Sequence, residues 1–499
     1  MALLWLLQAL LLAFAALFLL SMARLHSSTI PTPRRKPTTW LLGTLLDGTL
    51  VDVGLRHRFY ASQQLLLGPI FRVVGFFGRT TALFVTEPPD WYRKADSDRS
   101  SFRAVVPHSL LGLPMGEMWA THRKLVAPLF STSSIDSFLP VVHAKSVELC
   151  QLWREQGEGG VEVDVHKSLS SWSLDIFGRV ACAHDFEALA CDREQRDNPY
   201  AEGAKTILHE LVRRFLLGVF APLQRRRIRA FRAAVRTYTS AAHAILRRAE
   251  EGVQEAQGSL AAKLAALSAH DGSRLSRAEV ADEVTGLLIA GHETSSNTAA
   301  WALHLLSRHP QAQEEVRAEV ARLDLRDVKL AELYGCCLLQ GVMYEALRLY
   351  PTVPLAPRLT PEGTTFAGHK LPARRPLLMN KVALCNDPAL FPNPAAFDPS
   401  RFSRGEYGAH GAKIAAFGSG PRMCVGYRLA EAEVLCLLAH VLRHFRVAPG
   451  GTPPVERYTV TVQPANGLFL RLTPLQGATD CPPPREPRVL SALRACLGQ

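Results

Sequence analysis

What this 499-residue sequence lacks narrows its class before any motif is read. Its ten cysteines form no C-x-x-C pair, and only Cys336 and Cys337 are adjacent. That argues against a secreted disulfide framework and for reduced thiols facing the cytosol. "CAHDFEALAC" (Cys182, Cys191) has no second closely spaced pair beside it, which removes a structural zinc site. No flavin or nicotinamide fingerprint is present. The net charge is +12, yet no nucleic-acid motif appears and the aromatics do not interleave with a basic stripe. The positive excess therefore points to an anionic membrane surface or an acidic protein partner, not to nucleic acid. There is no internal repeat, and no Pro/Gly/Ser linker divides the body of the chain.

What is present is a globular composition, 47% hydrophobic and 20% charged, with an unusual start. Ala2 to Leu20 is apolar except for Gln8. At about 1.5 Å per helical residue this run nearly matches the ~30 Å hydrocarbon core of a bilayer. No positive charge precedes it, whereas Arg24, Arg34, Arg35 and Lys36 follow. The pattern predicts an uncleaved anchor over residues 1–22 rather than a signal peptide, with the body on the cytosolic side. "STIPTPRRKP" then reads as part of a proline-rich basic linker over 23–50. A globular body is expected over 51–474, followed by a proline-rich basic tail over 475–499 that is loosely ordered.

The body reads as mainly α with minor β sheets, in one large domain. "LLGPIFRVVGFFGRTTALFVT" predicts short strands, as do Tyr458–Val462 and Leu468–Leu472. "SRAEVADEVTGLLIAGHETSSNTAAWALHLLSRH" predicts one long helix from Ser276 to near Pro310. Further helices are expected in "PQAQEEVRAEVARL", in "LLQGVMYEALRLY" before Pro351, and in "YRLAEAEVLCLLAHVLRHF" beyond Cys424.

The chemistry concentrates around Cys424. In "FGSGPRMCVG" the thiol is flanked by Gly418, Gly420 and Gly426, which permit tight turns and close approach of a flat group. A helix starting just after Cys424 aims its unpaired amides at the sulfur and tempers a thiolate charge. Arg422 offers a fork of donors to an anion. Together these suit a thiolate ligand beneath a large planar anionic cofactor.

"FGSGPRMCVG" resembles the F-x-x-G-x-R-x-C-x-G haem-binding loop of the cytochrome P-450 family, including Phe417, Gly420, Arg422, Cys424 and Gly426. Further elements match in the family's order. "EALR" resembles its E-x-x-R pair, with "PSRF" supplying the later arginine. The resemblance therefore implies a structural triad of Glu345, Arg348 and Arg401 that holds the cysteine loop, although Ser400 stands where the family usually has an acid. "AGHETS" resembles its oxygen-side helix. There Ala290 and Gly291 would let the helix lie close to the haem, and Glu293 and Thr294 would form an acid–alcohol pair relaying protons. "WATHR" resembles its W-x-x-x-R element, giving Trp119 and Arg123 as propionate contacts, with Arg358 a further candidate. Asn386 is a second departure from the family pattern.

The resemblance implies a membrane-anchored monooxygenase carrying haem b, with Cys424 as the axial ligand to iron. It would insert one oxygen atom from O2 into a lipophilic substrate. Electrons would come from NADPH through a partner flavin reductase, with cytochrome b5 a candidate second donor. The implied location is the endoplasmic reticulum membrane, single-pass, with the catalytic domain facing the cytosol. The substrate pocket is expected along Phe102–Leu113, Leu287, Val353–Ala356 and Pro464–Leu468. Arg213–Phe231 mixes apolar and basic residues, and reads equally as a headgroup-dipping segment or as a solvated amphipathic helix. The alternatives are a haem-thiolate isomerase or dehydratase acting on hydroperoxides without a reductase, a non-catalytic haem sensor, and an anchored interaction protein without cofactor. Retention of Glu293 and Thr294 weighs against the first two.

Overall fold

A computed structural model describes residues 13, 15–20, 30–31, 56–74, 80–85, 100–217, 225–252, 259–266, 275–403 and 416–475. Most of the expected anchor, most of the linker, nearly all of the tail and residues 218–224 lie outside the described residues. Residues 15–20 are helical, with Leu17 to Leu20 exposed. Among the described residues no single helix is long and apolar enough to cross a membrane. One bent pair, Glu117–Phe130 and Thr132–Gln156, passes on length and composition, but it contributes Trp119, Val126, Phe130, Leu149 and Trp153 to the buried core.

Helices dominate, as their periodicity predicts. The principal ones are α1 (Arg56–Leu67), α2 (Glu117–Val126), α3 (Thr132–Gln156), α4 (Val165–Cys182), α5 (Pro199–Leu217), α6 (Arg225–Glu250), α7 (Arg277–Gly291), α8 (Glu293–Arg308), α9 (Cys337–Leu349) and α10 (Tyr427–His444). Helix α3 opens on Ser131, whose hydroxyl accepts from the Ser134 amide. Helix α7 opens on a reciprocal capping box between Ser276 and Glu279. Helix α8 is buried on every face from Ser295 to Ser307 and forms the axis of the core. Its Trp301 ring stacks on Tyr350 at 4.0 Å and donates to the Val462 carbonyl at 3.1 Å.

The strands are short: β1 (Ile70–Val74), β2 (Thr80–Val85), β3 (Val163–Asp164), β4 (Leu355–Leu359), β5 (Thr365–Phe366), β6 (His369–Lys370), β7 (Pro376–Asn380), β8 (Phe445–Pro449), β9 (Glu456–Thr459), β10 (Thr461–Pro464) and β11 (Phe469–Pro474). The largest sheet runs β1-β2-β7-β4, with β2 parallel to β7 (Leu83 opposite Leu377) and the other pairs antiparallel.

Two elements differ from the sequence reading. The helix expected from Ser276 to Pro310 is interrupted at His292, so α7 and α8 are separate. The strand expected at Tyr458–Val462 is a hairpin, β9 paired with β10, that reverses at Val460 with φ 81°. Hydrophobic alternation continues through Val460 and conceals the turn.

Candidate active site around Cys424

Cys424 sits on the short segment between a turn of 3-10 helix at Gly420–Arg422 and helix α10. Gly418 and Gly420 take φ 80° and 69°, a region that L side chains rarely adopt, and so set the turn. A Cβ on Gly418 would meet nothing within 4 Å, so it is backbone conformation and not crowding that calls for glycine there. The Cys424 amide donates to the Phe417 carbonyl at 3.0 Å, and the Lys381 ammonium donates to the Ala416 carbonyl at 3.0 Å. Among the described cysteines, six are buried and two, Cys337 and Cys424, are exposed. The Cys424 thiol opens onto an internal cavity of about 320 Å³.

Trp119, Arg123, Ala290, Gly291, Thr294, Arg358, Phe417, Arg422, Cys424 and Gly426 all line this cavity. Of the residues singled out for cofactor or catalysis, Gly420 and Glu293 do not. Gly420 serves the turn. Glu293 faces the other side of α8, where its Oε1 accepts from the Thr461 hydroxyl at 3.1 Å and its Oε2 is buried without a partner. It lines a second, much smaller cavity with His166, Lys205, His292 and Gln463. Burial pushes the Glu293 carboxyl up to about 7, against the Thr461 hydrogen bond. The structure therefore does not bring Glu293 and Thr294 together in one cavity as an acid–alcohol pair.

Thr294 donates to the Ala290 carbonyl one turn back at 3.1 Å, and the His292 ring bonds the Leu288 carbonyl at 3.0 Å. Such side-chain bonds compete with the helix ladder, and they coincide with the break. Burial lowers the His292 pKa to about 4, so the ring is neutral. Ala290 and Gly291 both face the cavity, and Gly291 has a second reason to be small. A Cβ at Gly291 would stand 2.1 Å from the Phe177 ring of α4, so this glycine also admits a core side chain.

Positive charge collects around the cavity. Arg123 is held below its usual pKa by burial, and the nearby Cys424 opposes that shift. Arg358 is 3% exposed. Arg422 lies 4.6 Å from the Trp119 ring and donates to the Leu110 and Leu113 carbonyls at 3.0 and 2.7 Å. Lys381, which sequence reasoning missed, joins them in the cavity wall. A solvent-facing thiol, three arginines and a lysine around one apolar cavity form a donor set that fits haem. Cys424 would hold the iron, and Arg123, Arg358 and Arg422 would hold the propionates.

Glu345 and Arg348 form a buried bidentate pair at 2.6 and 2.8 Å, with the Arg401 Nε 3.6 Å from Glu345. The remaining donors of Arg348 bond the carbonyls of Cys385, Pro394 and Ala396 at 3.0, 2.7 and 2.9 Å. These three groups are assembled, and their direct contacts bind the 385–398 segment. Ser400 takes up the place of the usual acid without conflict, since its amide and hydroxyl both donate to Asp398. Gly341 of α9 went unnoticed in the sequence, yet a Cβ there would stand 2.0 Å from the Pro399 carbonyl oxygen.

Of the expected substrate-pocket residues, Ser109, Leu110, Leu111, Leu287, Val353, Leu355 and Ala356 line the cavity. None of Pro464–Leu468 does. Strand β10 instead meets α8 from its other side, through Thr461 and Val462.

The wall also holds two carboxylates that sequence reasoning missed, Glu283 and Glu433. Glu283 Oε1 accepts from the Leu110 amide at 2.8 Å and lies 2.7 Å from His122 Nδ1. Burial opposes charge on His122, but its contacts with Glu283 and Glu279 prevail and raise its pKa. Glu433 is fully buried without a well-formed hydrogen bond to either oxygen, and burial pushes it up to about 8, opposed by the nearby Ser295 hydroxyl.

The family model described as Cytochrome P450 matches residues 33–471. The chain is similar to cytochrome P450 4d2 of Drosophila melanogaster, 26% identical over 93% of this chain and 98% of that protein. It is 26% identical to human cytochrome P450 4F12, over 89% of each chain. With human cytochrome P450 4X1 it shares 28% identity over 80% of this chain and 83% of the other.

Proposed function

Because the chain belongs to the cytochrome P450 family, and is therefore a monooxygenase, we propose that it inserts one atom of dioxygen into a lipophilic small molecule, taking electrons from NADPH through a separate flavin reductase. The observation that carries this reading is the Cys424 thiol opening onto a cavity that also exposes Thr294. Haem bound there supplies oxygen activation, since a thiolate ligand pushes electron density onto iron and favours O–O cleavage. The protein's own residues do the rest.

Arg123, Arg358 and Arg422 fix the orientation of an anionic planar group through charge-assisted hydrogen bonds. Leu110, Leu111, Leu287, Val353 and Ala356 form the apolar wall that excludes water and accepts a lipophilic molecule. Thr294 holds a proton at Oγ1 inside the cavity. Glu293 holds one next to it in sequence, on the opposite side of α8. Proton supply thus needs a side-chain swing or water between the two cavities. The apolar run Ala2–Leu20 with the following basic residues supports a single-pass anchor in the endoplasmic reticulum membrane. The net charge of +12 supports an acidic electron-donating partner.

Reduction of the purified full-length protein under carbon monoxide should give the strongly red-shifted Soret band of thiolate-ligated iron, and Cys424→Ser should abolish it. A wild-type protein without that band defeats the reading. Turnover supported by a soluble ferredoxin system and not by the flavin reductase defeats the proposed electron source.

A further inference from the structure

We propose that Glu283 is the polar anchor of the substrate cavity, selecting molecules whose end remote from the reacting carbon carries a hydroxyl over those that carry a carboxylate there. This rests on the monooxygenase reading for which end reacts, but the binding preference stands by itself.

The cavity face of α7 and the start of α8 is a stripe at helical spacing: Glu283, Gly286, Leu287, Ala290, Gly291 and Thr294. Glu283 and Thr294 are eleven residues apart, which at about 1.5 Å per residue places them about 16 Å apart along the axis. A substrate reaching Thr294 therefore meets Glu283 only if it is long, and it meets Glu283 with its other end. Leu287, the large side chain of that stripe between the two, is apolar.

The carboxyl of Glu283 is fixed in place. It is 2% exposed, and Oε1 is held by the Leu110 amide and the His122 ring. The loop carrying Leu110 is pinned from its other side by Arg422, and its His108 amide donates to Asp282 at 2.9 Å. Gly286 leaves room beside the carboxyl for Ser109, whose Oγ would stand 2.9 Å from a Cβ at that position. A carboxylate offers about four acceptor positions, of which the contacts of Oε1 fill two. A hydroxyl donor can use another.

A ligand carboxylate offers no donor when ionised. At this end it would face Glu283, with Asp282 and Glu279 on the same helix, and the groups paired with these three carboxylates are the His122 and His108 rings. The arginines in the wall are already assigned to the cofactor's own carboxylates. A charge-assisted hydrogen bond gained by the alcohol, or a like-charge contact forced on the acid, corresponds to roughly tenfold in affinity or more.

Equilibrium dialysis of radiolabelled n-dodecanol, n-dodecanoate and methyl undecyl ether against the full-length protein in lipid nanodiscs, with the uptake by empty nanodiscs of the same lipid subtracted, reads these affinities. The alcohol should bind about tenfold tighter than either other probe. Glu283→Gln, which removes the charge and keeps the shape, should narrow the alcohol-to-carboxylate ratio about tenfold, and Glu283→Leu should abolish the preference for alcohol over ether. Equal binding of alcohol and carboxylate by the wild type overturns the proposal even if neither variant folds. So does a ratio unchanged in a folded variant. The carbon monoxide band, recorded on the same preparation, separates the two readings. A preserved preference without the band defeats the haem-thiolate reading alone, and a band without the preference defeats the anchor alone.

Discussion

Single side chains decide whether this cavity exists, and several do so for reasons the sequence conceals. Gly291 was legible as a small residue near the cofactor, but the Phe177 ring at 2.1 Å from its missing Cβ gives it a further role in the core. Gly291→Ala should therefore cost about 1–3 kcal/mol by overpacking. Urea unfolding of Gly291→Ala and of Gly291→Ala with Phe177→Leu should show the second change restoring part of the loss. No restoration would mean that the ring is not the obstacle. The Glu345–Arg348 pair was legible as a motif, whereas its contacts with the Cys385, Pro394 and Ala396 carbonyls follow only from the folded chain. Glu345→Ala leaves a guanidinium that is 1% exposed without its carboxylate, and should cost roughly 3–5 kcal/mol in the same assay. Arg401→Ala, across a looser 3.6 Å contact, should cost clearly less. Glu283 and Glu433 were illegible because a carboxylate in a helical pattern reads as solvent-facing until the other wall of its cavity is known.

At the scale of elements, the helices and short strands followed from periodicity and turn residues, and the exceptions share one cause. The break at His292 and the reversal at Val460 are made by local hydrogen bonds and backbone conformation inside stretches that otherwise read as one continuous helix and one continuous strand, to which periodicity is blind. Glu293 and Thr294 both lie on α8, where at about 3.6 residues per turn successive side chains point in different directions, so the Thr294 hydroxyl reaches the cavity while Glu293 faces Thr461. Thr294→Val keeps the shape and removes the hydroxyl. Product formed per NADPH consumed should then fall about tenfold or more while oxygen is still used, and Thr294→Ser should retain most of the coupling. Unchanged coupling in the valine variant would show that the proton reaches the cavity by another group.

For the molecule as a whole, the consequence of so many buried ionisable groups is a stability that depends on pH in two opposing senses. His292 and His304 are lowered to about 4 by burial. Their unfolded forms take protons near 6.5, so each favours unfolding as pH falls from 6.5 towards 4. Glu293 and Glu433 are raised to about 7 and about 8 by burial. Their unfolded forms lose protons near 4.5 while the native carboxyls keep theirs, so each favours unfolding as pH rises from 4.5 to its folded value. Between 4.5 and 6.5 the two sets offset each other. Above 6.5 His292 and His304 are neutral in both states, and of these four groups only the carboxyls act, so stability should decline towards pH 8, with the raised His122 adding in the same sense. Glu433 isolates the effect, because the Ser295 hydroxyl is the one group that opposes its shift and glutamine matches its shape. At 1.36 kcal/mol per pH unit, a raised carboxyl of this size makes Glu433→Gln gain roughly 3–4 kcal/mol on the wild type between pH 5 and 8, whatever constant penalty the amide carries. Urea midpoints of both proteins at pH 5 and pH 8 measure that difference. If it does not change with pH, Glu433 is ionised in the native protein, and the cavity wall carries a negative charge where a neutral acid is assigned.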